Sequence, residues 1–122
     1  MKLGQLGEDL VWQYYSKLGY KLLERNYVFR FGVQAGEIDL ILQKENELVF
    51  VEVKARRNSK FGSAAESVDL YKQRKLVRTT KLYLKQHPKF QALDYRIDVA
   101  VVDVDNSTKP VIIIPNAIED LD

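Results

Sequence analysis

Two β-rich segments, residues 37 to 44 (EIDLILQK) and 47 to 54 (ELVFVEVK), are separated by only Glu45 and Asn46. That spacing predicts an antiparallel hairpin. With Glu45 and Asn46 as the turn, Lys44 opposes Glu47 and Asp39 faces Glu52. A four-residue loop keeps this register, whereas a three-residue loop would put the two acids on opposite faces. Glu52 and Lys54 lie two residues apart, so they project from one face with Phe50. The flanking Ile38, Leu40, Leu42, Val49, Val51 and Val53 are too apolar for a free edge and predict a mostly buried sheet.

The rest of the chain supplies covers and neighbours for that hairpin. Leu3, Leu6, Leu10, Tyr14 and Leu18 recur at helical spacing and predict a helix over residues 3 to 18, closed by Gly19. Residues 20 to 31 read as a strand, broken by the Gly32 to Gly36 segment. Residues 64 to 86 read as a long helix with Leu76, Val77, Thr80, Tyr83 and Leu84 on its apolar face, stopped at Pro88. Residues 95 to 104 and 111 to 115 read as strands joined by a turn-like stretch. The order is α-β-β-β-α-β-β, and the 122 residues, without repeat or linker, suit one α/β domain over 1 to 122.

Composition removes several chemistries. There is no cysteine, which excludes disulfides, thiolate ligands and a cysteine nucleophile. The one histidine, His87, sits beside Pro88 at a helix end and reads as structural. Glu8 and Asp9 stand where a secretory signal needs an apolar run, and no apolar stretch is long enough to span a membrane; a cytoplasmic location is expected. Residues 54 to 89 hold 11 of the 19 basic residues against two acids, a segregation that favours a polyanionic partner.

Two carboxylates facing each other across strands at about 5 Å repel by about 3 kcal/mol at an effective dielectric near 20. A Mg²⁺ or Mn²⁺ ion would offset that repulsion, because hard divalent cations take carboxylate oxygens and bind phosphate oxygens at their remaining positions. Such an ion polarises a phosphate and activates water, and Lys54 would orient the nucleophile or stabilise the developing charge. On spacing alone, the alternative is an exposed glutamate-lysine pair and a solvated edge aspartate. Charges on a covered sheet need a reason, however. Glu37 shares a face with Asp39 at the strand entrance and reads as a supporting residue. Asp98, between Ile97 and Val99, competes as a further site acid.

The blocks Gly7-Glu8, Gly36-Glu37-Ile38-Asp39-Leu40-Ile41, Val49-Phe50-Val51-Glu52-Val53-Lys54, Phe61-Gly62 and Arg96-Ile97-Asp98-Val99 resemble the bacterial YraN-like (UPF0102) family, over about residues 4 to 104. That family is similar to archaeal Holliday-junction resolvases of the PD-(D/E)xK superfamily. The resemblance implies a restriction-endonuclease-like fold with a central mixed sheet of about five strands flanked by helices. It places Asp39, Glu52 and Lys54 at an active site, with Glu8 reaching in from the first helix as a further acid and metal ligand. It implies cleavage of DNA, with branched or damaged structures as the expected targets, and a homodimer, since resolvase-like relatives cut paired strands.

On the second helix, Arg74, Arg78, Lys81 and Lys85 form a stripe that could track phosphates, although a solvated face is the commoner explanation. Related nuclease folds support their site with a polar pair on this helix, which maps to Lys72 and Gln73; Lys75 joins them as a nucleic-acid contact. Arg56, Arg57 and Lys60 follow Lys54 and could clamp a backbone beside the metal, with Gly62 in the same loop. Trp12, Tyr14 and Tyr15 fit core packing better than base stacking. Two further readings stay open: a non-catalytic nucleic-acid-binding module, and an interaction protein in which the acids and lysine form only a salt-bridge network.

Overall fold

Leu48, Val49, Phe50 and Val51 are all buried. A strand apolar on consecutive positions needs cover on both faces and a neighbour on both edges. The computed structural model, which describes residues 2–57 and 69–119, supplies all four. The elements are α1 (Leu3–Lys17), β1 (Lys21–Phe31), β2 (Gln34–Lys44), β3 (Glu47–Arg56), α2 (Leu70–Gln86), β4 (Asp94–Asp103) and β5 (Val111–Ile118), in the predicted order. They form one five-stranded sheet ordered β1-β2-β3-β4-β5, with β3 at its centre. β3 pairs antiparallel with β2 and parallel with β4, and β1–β2 and β4–β5 are antiparallel. A parallel pair cannot be joined by a tight turn, and α2 lies in the crossover between β3 and β4.

The two helices cover opposite faces. Val11 and Tyr15 of α1 pack with Leu40, Leu42, Val49, Val51, Ala100 and Val102. Leu76 and Tyr83 of α2 pack with Ile41, Leu48, Phe50, Ile97, Val99 and Val101. A five-stranded mixed sheet between two helices in this order is the arrangement of a restriction-endonuclease-like fold. No described helix is long and apolar enough to cross a membrane.

Several expectations shift in detail. The Gly32 to Gly36 break is a two-residue turn at Gly32 and Val33, with Phe31 already paired to Gln34, so Gly36 belongs to β2. The glycine there serves packing, because a Cβ at Gly36 would overlap Thr79 Oγ1 of α2 and lie 3.0 Å from Thr79 Cβ. Gly7 does the same for α1, where a Cβ would lie 2.7 Å from Ala55 Cβ on β3. The second helix starts at Leu70, not near residue 64: Asp69 is extended, and its carboxylate accepts the Lys72 N–H at 2.8 Å as an N-cap. Residues 64 to 68 of the predicted helix lie outside the described residues. β5 continues to Ile118, past the expected end at Pro115.

His87 is structural as read: its Nδ1 is 2.7 Å from the Tyr83 carbonyl and its ring stacks on Tyr83 at 4.0 Å. Tyr15 is buried and Trp12 packs against the α1 cluster, whereas Tyr14 is exposed. Gly36→Ala should cost about 1–3 kcal/mol by overpacking, and adding Thr79→Ala should recover part of the loss. Urea denaturation of the single and double variants checks this; equal stability of Gly36→Ala and the parent chain would refute the close approach.

Candidate active site

The β2–β3 ladder follows the predicted register, Lys44↔Glu47 through Leu40↔Val51, and ends there. At the next step Asp39 takes over from the backbone: its Oδ2 accepts the Val53 N–H at 2.7 Å. The alternation of β2 also breaks at this residue. Ile38 packs in the α2 cluster and Leu40 in the α1 cluster, although two residues apart on a regular strand share a face. Beside this break, between Arg25↔Leu40 and Tyr27↔Ile38, Asn26 of β1 has φ +54°. β3 meanwhile continues along β4 to Arg56↔Asp103. The strands part where the acids stand, and the carboxyls of Asp39 and Glu52 are in hydrogen-bonding contact.

Burial and the charge of Glu52 push the Asp39 carboxyl up to about 7, against the pull of the Val53 N–H, with Glu8 adding to the rise. Burial also raises Glu52, partly countered by Lys72 and Lys54. Lys72 Nζ lies 3.9 Å from Glu52 Oε1. The two lysine amines touch, and that contact, helped by burial, lowers the Lys54 amine, while Lys72 holds its proton more tightly. Two acids with raised carboxyls thus stand beside two amines, Lys54 lowered and Lys72 raised.

A cleft of about 400 Å³ opens in front of the acids. Asp39, Glu52, Glu37, Lys72 and Lys75 line it, together with Val28, Arg30, Ala35, Gly36 and Leu76. Gln73 is half-buried on α2, one position beyond Lys72. Glu8 is buried on α1, but its carboxylate is held by Arg25 Nε at 3.2 Å, while Arg25 also pairs with Asp9 at 2.7 Å. Among the described residues no three His, Cys, Asp or Glu side chains are grouped closely enough to hold a metal. The acids brought together in the cleft are Asp39 and Glu52; Glu8, expected as a further ligand, is ion-paired to Arg25 and acts on Asp39 through its charge.

The other candidates separate. Asp98 is fully buried on the α1 side, where it accepts from Tyr15 Oη at 2.8 Å, Arg96 Nε at 2.9 Å and the Asn116 N–H at 2.9 Å. Its neighbours Ile97 and Val99 belong to the α2 cluster, so Asp98 is a structural acid on the opposite face from Phe50. Arg57 turns to Asp105 at 3.7 Å, in the β4–β5 connection, and does not line the cleft. Arg56 is half-buried at the end of β3. Lys60 and Gly62 lie outside the described residues. Arg74, Arg78 and Lys85 are exposed along α2, with Lys81 half-buried. Sequence reasoning missed Arg25, Arg30 and Val28: β1 was read only as a strand, yet its alternate residues Val28 and Arg30 form a cleft wall.

The model of the Uncharacterised protein family UPF0102 matches residues 7–102. The chain belongs to that family. It is similar to a UPF0102 protein of Vibrio parahaemolyticus, 41% identical over 119 residues, covering 98% of this chain and 93% of the relative. A UPF0102 protein of Syntrophomonas wolfei is 47% identical over 89 residues, 73% of this chain and 74% of the relative. A third, from Chloroherpeton thalassium, is 42% identical over 106 residues, 87% and 78%. In this UPF0102 chain the matched segment contains every residue of the cleft wall and both acids.

The raised Asp39 gives a pH signature. The unfolded carboxyl titrates near 3.8 and the folded one at about 7, so between these values the folded state holds more protons. Stability is then fully present below about pH 4 and is lost as pH rises through about 7, by at most about 4 kcal/mol for the pair. Asp39→Asn keeps an acceptor for Val53 and lacks this loss. Urea denaturation in EDTA should show the variant gaining on the parent chain between pH 4 and pH 8; a pH-independent difference would count against the shared-proton pair.

Proposed function

We propose that the chain is an endonuclease that hydrolyses DNA phosphodiester bonds with a divalent cation, Mg²⁺ or Mn²⁺, held by Asp39 and Glu52. The observation that carries this reading is the pair of half-buried, mutually interacting carboxyls that line an open cleft together with Lys72 and Lys75. Such a pair keeps a proton or takes up a cation. The donor set fits Mg²⁺, which binds through one or two carboxylates and completes its shell with water and phosphate oxygens. When bound, the ion supplies Lewis acidity to the phosphate and to the attacking water.

The chain's own groups divide the remaining work. The Val53 N–H fixes the Asp39 carboxylate before any ligand arrives. Lys54, beside Glu52 on β3, can orient the attacking water or stabilise the charge that develops on the phosphate. Lys72 keeps its charge, offsets Glu52 and faces the cleft, where it can meet a phosphate oxygen. Arg30 and Lys75 line the same cleft and suit flanking phosphates.

One observation favours a second reading, a nucleic-acid-binding module without turnover: the Lys72 ammonium, 3.9 Å from Glu52, already supplies part of the positive charge the acids need. Purified protein incubated with single-stranded, duplex, flap and four-way-junction DNA in Mg²⁺, Mn²⁺ or EDTA separates the two. Cleavage should require metal and fall by about 100-fold or more in Asp39→Asn, Glu52→Gln and Lys54→Gln. Undiminished cleavage in Asp39→Asn would sink the proposed site, and metal-independent binding without cleavage would favour the second reading.

A further inference from the structure

Among the described residues, four large hydrophobic side chains stand exposed on the two elements that flank the cleft. Val28 (46% exposed) lies on β1, and Val33 is fully exposed at the β1–β2 turn; Leu70 (59%) and Tyr71 (71%) begin α2. Val28 is itself part of the cleft wall. Tyr71 stands beside the cleft rather than in its lining: Lys75, which lines it, places its ammonium 5.9 Å from the centre of the Tyr71 ring. The cleft thus has an exposed apolar side chain, Val28, in its lining and an aromatic ring just outside it beside Lys75, with Arg30 and the carboxyls of Asp39 and Glu52 in the same lining.

Continuous duplex has little use for such walls. It turns phosphates outward and hides its base faces in the stack, so binding it calls for cations and polar donors. An unpaired nucleotide presents both a phosphate and a bare π-face, and aromatic side chains take that face whatever the base. The cleft, at about 400 Å³, has the size of a pocket for one small-molecule unit, commonly about 300–1,000 Å³.

We propose that the cleft receives one unpaired nucleotide of a DNA strand, its base against Tyr71 and Val28 and its phosphate at Asp39 and Glu52. The preferred substrate is then single-stranded, flapped or branched DNA rather than continuous duplex. Arg30 and Lys75 meet the neighbouring phosphates. This assignment deepens the nuclease reading and rests on it for the position of the phosphate, while the base platform has its own test.

That test is binding in the Asp39→Asn background, where nothing is cut. A short oligonucleotide carrying 2-aminopurine is offered single-stranded, as a flap and fully paired. The unpaired forms should bind about tenfold or more tightly than duplex, with the fluorescence of the unpaired base quenched on binding. Tyr71→Ala should remove both the preference and the quenching, and Tyr71→Phe should keep them. Because Tyr71 is exposed, neither variant disturbs the core. Equal affinity for duplex and unpaired DNA, or a preference unchanged in Tyr71→Ala, overturns the proposal even if the chain with Asp39 intact cuts DNA. A Tyr71-dependent preference in a protein that cuts no substrate supports the base platform and removes the nuclease reading instead.

Discussion

The hydrogen bond from the Val53 N–H to Asp39 Oδ2 decides how the middle of the sheet is built. Past Leu40↔Val51 the β2 backbone no longer serves β3, and a buried N–H left without an acceptor costs about 1–3 kcal/mol. Asp39 meets that need with a side chain rather than a carbonyl. β3 is then free of β2 while still paired to β4 along its whole length. The acids gather at this fork, and α2 closes it from one side because glycine at position 36 lets Thr79 come up against the strand.

Two aspartates on this sheet show how differently a carboxylate can be kept. Asp98 has three donors, one of them the Arg96 guanidinium, and Arg96 continues the network to Glu47 at 2.7 Å. Its charge is answered within the protein, as a structural acid requires. Asp39 has one backbone donor and another carboxyl for company. Lone pairs answered by a like group, in an open cleft, are the feature on which the proposed metal site rests. Asp98 is fully buried and Asp39 half-buried, so the contrast lies in depth as well as in partners.

Much of this was legible in the chain. Two-residue alternation and a two-residue gap set the central hairpin and its register, and that register brought Asp39 to Glu52. The family blocks set the order and handed over Glu8. What escaped depends on contacts distant in sequence. Arg25 grips Glu8 across 17 residues, and the Arg57 side chain, read as a clamp, spends its charge on Asp105. Gly36 looked like a turn residue because a glycine needed for close packing and one needed for a turn are the same letter. Asp69 was counted as an acid when its work is to cap a helix, and Tyr71 drew no notice because helical spacing cannot say which aromatic remains uncovered.

Arg25 has one more consequence, for charge balance. It comes from β1 and holds Glu8 and Asp9 of α1 at once, so the helix and the strand are fastened by a cation shared between two acids. While it holds Glu8, the negative charge left in the fork is that of Asp39 and Glu52, answered in part by Lys72. On the proposed reading, one divalent ion neutralises it. If Glu8 were released, the fork would carry a third negative charge and could draw in a second cation. The arginine on β1, distant in the chain from both acids, thereby sets how much of the Glu8 charge reaches the fork.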